Sequence, residues 1–284
     1  MVLPCGQAYD WGVEATNPRE PIEASNRHPD RKAFPMKNLA AFLPVPMLVA
    51  LGTFAALSFG GSACAVDLEQ ETRAAAGFHR IEIDGEVNVT LVQGATESVT
   101  VEAPASSLAR IRTTVRSGTL VVDVVESRSV WQWFSGRSAS RIPRVTIRLR
   151  DVDRIETAGA VTVDAESLKT DELRLDLAGA STLRIDNLQA TTLRIDGSGA
   201  TKIAIGGKVG RQKIDLSGAG SYQAEKLVSN EAVIEVSGAG KAVVNASSTL
   251  AVDISGAGKV EYLGDPKIKQ SISGFGKVTR RDPS

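Results

Sequence analysis

Histidine and cysteine are nearly missing from this chain of 284 residues, with two of each, and aromatic residues supply only 5% of it. Chemistry built on imidazole, thiolate or soft-metal ligation therefore has little material, and no catalytic residue, metal site or cofactor is expected. Excess charge is missing too. The 33 basic residues balance 33 acidic ones, so no global field recruits nucleic acid, and no nucleic-acid partner is expected. Residues 66–284 contain no helix-period stretch of useful length, which argues against helical and mixed classes.

The main long apolar run lies near the N-terminus. Met36-Lys37-Asn38 precedes an apolar core from Leu48 to Leu57, and Ala63-Cys64-Ala65 follows with small residues at the minus-three and minus-one positions. A basic start, a short apolar core and a small-residue exit describe a secretory signal peptide over 36–65, with cleavage expected after Ala65. Residues 1–35, broken by Pro4, Pro18, Pro21, Pro29 and Pro35, read as a non-native or disordered extension. Two alternatives stay open. Cys64 could be a lipid-bearing cysteine, although Gly61 stands where a large aliphatic is wanted, and the run could be an uncleaved anchor, although Pro44 and Pro46 interrupt it. Cleavage would remove Cys5 and Cys64 and leave 28 basic against 28 acidic residues, with no disulfide and no membrane span. The expected location is exported.

From residue 151 onward the chain repeats itself. Gly-Ala pairs begin at Gly159, Gly179, Gly199, Gly218, Gly238 and Gly256, and Gly274 carries the variant Gly274-Phe275, at intervals of 20, 20, 19, 20, 18 and 18 residues. Gly85 is an eighth member, because Arg80-Ile81-Glu82 through Val89 superposes on Arg154-Ile155-Glu156 through Val163. Aliphatics alternate on both sides of each glycine, as Leu175 and Leu177 before Gly179 and Leu183 and Ile185 after it. Such alternation specifies short strands with one buried face, joined at a bend that needs a residue without a side chain. Twenty residues cannot close a core alone, but stacked copies can. The fold expected is all-β: a parallel β-helix or β-solenoid with about 18–20 residues per coil, right-handed by the general crossover preference. One domain is expected over 66–284, with regular repeats over 151–284. Over 66–150 the β region is less regular; Ser98 to Glu102, Ile111 to Arg116 and Thr119 to Val125 are strands that widen or cap one end.

Outward positions are regular as well. Glu156, Asp176, Asp196, Asp215, Glu235 and Asp253 stand three residues before their glycines, and Arg154, Arg174, Arg194 and Lys213 stand five before. At a strand spacing of about 4.8 Å, an unpaired acidic file would repel itself by around 1 kcal/mol per neighbouring pair. The basic file offsets this, so a solvated ion-pair lattice is expected. A calcium-binding ladder has content only at Glu235 and Asp253, whose own rungs carry Val233 and Ala251 in place of a cation.

One segment breaks the pattern. Trp131, Trp133 and Phe134 sit within four positions, and Arg128, Arg137 and Arg141 surround them, with no acidic residue from Ser127 through Arg150. Aromatic faces beside guanidinium groups suit a glycan or an envelope protein, and these six residues are the candidate binding site. The alternative is that Trp131 and Phe134 cover an open end of the stack.

The Gly77-Phe78-His79-Arg80-Ile81 opening, the Ser-Gly-Ala-Gly repeats at Ser217, Ser237 and Ser255, and the Gly258 to Pro266 and Ser273 to Val278 endings resemble the bacterial autotransporter-adhesin head GIN domain family. The resemblance spans Phe78 to Arg280. It implies a β-helical fold and an envelope location, and it supplies no catalytic residues. With four residues after Arg280, a free exported protein is expected rather than a complete autotransporter. A non-enzymatic, adhesin-like structural or binding module is the reading that fits best. A polysaccharide-acting lyase or hydrolase and an envelope stress or regulatory partner are the alternatives, and end-to-end self-association through exposed solenoid ends is a further expectation.

Overall fold

The computed structural model describes residues 68–125 and 142–282. Parallel strands stacked in register form a β-solenoid of about six turns. Its central rungs are β2 (Arg80–Gln93), β7 (Arg154–Lys169), β8 (Glu172–Leu177), β9 (Thr182–Gly197), β10 (Lys202–Leu216), β11 (Ser221–Val236) and β12 (Lys241–Ile254). The last turn is made by β13 (Lys259–Leu263), β14 (Lys267–Ile272) and β15 (Lys277–Arg280).

Two faces meet at the glycine corner. One face carries the residues that precede each glycine, so that Ile155, Leu175 and Ile195 are rung partners; the other carries those that follow, so that Val163, Leu183 and Ile203 are rung partners. Every one of these six side chains is buried, in one apolar core that runs from Phe78 to Val260. Alternation puts the polar neighbours outside, which is why the sequence period and the burial period coincide.

The second corner differs from the expectation of short strands separated by bends. There the chain turns without leaving its ladder, so β9, β10, β11 and β12 each sweep from one face to the next as single strands of 14–16 residues. Register shifts between Ala204 and Gly207 and between Ala224 and Val228 absorb the bend. Leu168, Leu188 and Leu227 point inward at this corner and give the core a third side.

The irregular N-terminal region continues both faces rather than lying across them as one lid. On the first face, β4 (Ile111–Arg116) and β5 (Thr119–Val124) form a hairpin whose β5 pairs in parallel with Arg80 to Asp84. Its turn is Ser117-Gly118, both with positive φ (49° and 76°), the conformation of a two-residue hairpin loop. On the second face, β6 (Arg144–Leu149) pairs with β2, β3 (Ser98–Pro104) pairs antiparallel with β6, and β1 (Leu68–Arg73) pairs antiparallel with β3. Between the two faces a single helical turn, α1 (Ala105–Leu108), contributes Leu108 to the core. The Arg73 guanidinium reaches across from β1 and donates to Ile111 O at 2.5 Å, Leu108 O at 3.2 Å and the Thr113 hydroxyl at 3.3 Å. This end of the core is therefore closed by a hydrogen-bonded polar plug, a known way of blunting an open β edge.

Candidate functional site

The aromatic-basic candidates Arg128, Trp131, Trp133, Phe134, Arg137 and Arg141 lie outside the described residues. The described part of the molecule offers a different concave surface, built from the files beside the glycine corner.

Rung by rung, Glu82, Glu156, Asp176, Asp196, Asp215, Glu235 and Asp253 are direct partners, and so are Arg80, Arg154, Arg174, Arg194 and Lys213. The cations do not simply neutralise their own rungs. Arg154 Nε contacts Glu156 Oε1 at 2.7 Å and also Asp176 Oδ2 at 2.8 Å; Arg174 contacts Asp176 Oδ1 and Asp196 Oδ2, both at 3.1 Å. Each guanidinium thus binds the acid beside it and the acid one coil further on. The hydrogen bond to Asp176 is the main reason that the Arg174 pKa is raised, followed by the charge of the same carboxylate.

This diagonal corrects one expectation. Glu235 does have a cation: Lys213, from the preceding coil, sits 3.1 Å away. Pairing by rung missed it because a long side chain spans one strand spacing. Arg194 turns aside to Glu172 at 3.3 Å, which leaves Asp215 without an ion pair among the described residues, and Asp253 is in the same position because the preceding coil carries Val233. No group of three or more His, Cys, Asp or Glu among the described residues is arranged to hold a metal ion.

Asp196 sits where the file is most crowded. Desolvation is the first reason that its pKa is raised, then the hydrogen bond with Asp176, while Arg174 works in the opposite direction. A folded-state pKa above the unfolded one means that the native fold holds the proton more tightly, so the ionised form costs stability above that pKa and the cost fades as pH falls through it. Asp196→Asn is therefore expected to stabilise the protein slightly at neutral pH, the gain being kept small by solvent screening of a half-exposed side chain. The gain should vanish near about pH 3. Urea titrations at both pH values test this; a net loss at neutral pH would mean that the Arg174 contact outweighs desolvation.

Beside the carboxylates runs a file that sequence reasoning treated only as part of a repeat signature. Ser198, Ser217, Ser237, Ser255 and Ser273 occupy equivalent corners, and each donates its backbone N–H one coil back, to the carbonyls of Leu177, Gly197, Leu216, Val236 and Ile254 in turn. Their short side chains leave room over the corner. One groove of about 530 Å³ is lined by Glu82, Glu156, Asp176, Asp196, Asp215 and Ser217 among others, and a second of about 500 Å³ continues with Asp215, Glu235, Ser237, Asp253 and Ser255. The two meet at Asp215. Repeated carboxylates and hydroxyls along a groove can accept and donate hydrogen bonds at a regular interval of one rung.

The corner itself depends on glycine. Gly85, Gly159, Gly179, Gly199, Gly218, Gly238, Gly256 and Gly274 form one vertical file in which each approaches the carbonyl oxygen of the residue stacked before it; a Cβ on Gly159 would lie 2.5 Å from Gly85 O. Gly85, Gly159, Gly179 and Gly199 also have positive φ. His79, the only histidine after residue 65, is half exposed, with Nε2 at 3.9 Å from Asp153 Oδ2, on the outside of the stack.

The sequence profile of the family described as "Putative auto-transporter adhesin, head GIN domain" matches residues 77–266. A solved structure described as a "putative adhesin" from Bacteroides fragilis is similar with a TM-score of 0.70 at 21% identity, covering 76% of this chain and 97% of that one. One described as a "putative lipid binding protein" from Parabacteroides distasonis has a TM-score of 0.59 at 18% identity, covering 76% and 97%. A "putative adhesin" from Parabacteroides merdae has a TM-score of 0.57 at 18% identity, covering 76% and 96%. At these identities the solved structures share the fold. No curated protein matches the chain.

Proposed function

This chain belongs to the auto-transporter adhesin head GIN domain family, and from that membership and its groove we propose that it is an exported, non-enzymatic binding module of the bacterial envelope whose corner groove takes an extended glycan. The observation that carries this is the uninterrupted file of carboxylates from Glu82 to Asp253, joined by a file of serines from Ser198 onward, along two grooves that join at Asp215. Sugar hydroxyls both donate and accept, so alternating carboxylate and hydroxyl partners suit them better than they suit a uniformly charged ligand. Weak contacts repeated at each rung add through effective concentration, which is how a shallow surface can hold a polymer.

The same ion pairs argue against hydrolysis. A general acid needs a carboxyl free to reach a leaving group, and Glu156 and Asp176 are occupied by contacts with Arg154 and Arg174. Affinity electrophoresis in gels containing envelope or capsular polysaccharides tests the assignment. The double variant Asp215→Ala, Ser237→Leu is expected to weaken retardation on a retained glycan by about tenfold. Unchanged retardation would move binding elsewhere, with the 127–141 segment the next place to look. Release of reducing ends or unsaturated products would replace binding by catalysis.

A further inference from the structure

We propose that the C-terminal end of the solenoid is a docking surface for an anionic lipid bilayer. On the last rung Ile268 and Ile272 stack beneath the buried Leu250 and Ile254, and Val278 beneath Val260, so they occupy core positions. No described coil covers them: Ile268 is 42% exposed and Ile272 40%. Phe275 takes the corner position that is alanine in six preceding coils and is 96% exposed. Around this apolar centre stand Lys267 and Lys269 on one face and Lys277, Arg280 and Arg281 on the other, against only Asp265 and Asp282. Among the described residues the ion pairs on this rung reduce to Arg280 with Asp265 at 3.4 Å.

An apolar patch rimmed by cations is the footprint of a surface that enters the headgroup region of an anionic membrane. A second copy of this chain fits less well. Two C-terminal ends would set lysine edges against each other, and lysine on an edge strand opposes strand addition. The N-terminal end offers the Arg73 hydrogen-bonded plug and the exposed Glu69 and Glu71, not an apolar face to cover Ile268 and Ile272. Charge also orients the molecule. The bilayer attracts the cationic end and repels the flank where Glu82, Asp84, Asp196 and Asp215 line the first groove, so the solenoid stands on its end with that first groove held clear of the lipid.

Lys269 also lines the second groove, so Phe275→Ser, which lies in neither groove, is the variant that separates lipid docking from groove binding. Cosedimentation of the full chain with vesicles of phosphatidylcholine mixed with phosphatidylglycerol, against vesicles of phosphatidylcholine alone, separates it from apolar binding by residues 36–65, which would favour both vesicles alike. Binding is expected to be stronger to the anionic vesicles and to fall with added salt. Lys267→Glu with Lys269→Glu should lower the anionic partition at least tenfold, and Phe275→Ser about tenfold. All three side chains are exposed, and an unchanged β circular dichroism spectrum shows that folding is retained. Equal partition into both vesicles, or variants that bind like the parent, would overturn the proposal. So would sedimentation velocity showing that the parent forms oligomers that Phe275→Ser abolishes without any vesicle binding, which would make this end a contact between copies.

Discussion

Gly199→Val should cost about 3 kcal/mol or more. Two separate causes add. Gly199 has φ of 92°, a region that a β-branched residue enters only at about 1–3 kcal/mol. Its Cβ would also lie 2.5 Å from Gly179 O, inside contact distance of a backbone atom that belongs to the ladder, so overpacking adds about 1–3 kcal/mol. Because each coil touches only its neighbours, the lesion weakens the interface between two coils rather than one isolated turn. Urea unfolding should therefore shift to a lower midpoint and broaden as the two halves of the stack uncouple. A graded series separates the causes. Gly94→Ala meets nothing within 4 Å and should be nearly silent, whereas Gly77→Ala, open but at φ of 74°, should cost about 1 kcal/mol. Gly218→Ala, without positive φ but against Gly199 O, should fall between Gly77→Ala and Gly199→Val. Equal midpoints across the series would mean that the file is loosely packed and that the in-register corner is wrong.

Gln212→Leu is expected to cost about 3 kcal/mol, although it places an apolar residue in an apolar core. Gln212 is fully buried in the file otherwise occupied by Leu173, Leu193, Ala232 and Leu250. Its Oε1 accepts from the buried Tyr222 hydroxyl at 2.7 Å, and its Nε2 donates to Ser229 Oγ at 2.8 Å, which in turn donates to Asn245 O at 2.8 Å. Leucine at 212 orphans the Tyr222 hydroxyl and deprives Ser229 of its donor, and each buried orphan costs about 1–3 kcal/mol. Burial pushes the Tyr222 pKa upward, so the phenol stays a neutral donor with no means of ionising to escape. Adding Tyr222→Phe to Gln212→Leu should recover at least about 1 kcal/mol, because removing both partners is milder than removing one. A double variant less stable than Gln212→Leu alone would show that the phenol has found another partner. The network also has a use beyond strength. A one-coil slip would bury leucines against leucines at little cost anywhere else, but would separate Tyr222, Gln212 and Ser229, so this polar chain favours one register among near-equivalent ones.

Much of the architecture was legible in the residues because a stacked repeat writes its contacts at fixed intervals. The glycine period gave the corner, the alternation beside it gave two buried faces, and Ser117-Gly118 gave the hairpin turn. The second corner was not legible, since β9 bends through Leu188 and β11 through Leu227 without glycine or proline, and the Gly206-Gly207 pair that marks the same corner in β10 has no counterpart in those coils. The groove was half legible. Its acids were visible, but its shape comes from serines that look like linker residues until they stand in a file.

Length, alternation and the spacing of glycine thus determined by themselves that the chain stacks coil on coil, because only neighbouring copies can bury such short strands. Tertiary structure alone decided which cation meets which acid, that Asp215 and Asp253 are left without one among the described residues, and that the described ends differ, a polar plug at Arg73 and uncovered isoleucines at the other. Those outcomes depend on side-chain reach across one strand spacing and on which rung is last, and neither quantity exists until the coils are laid on one another.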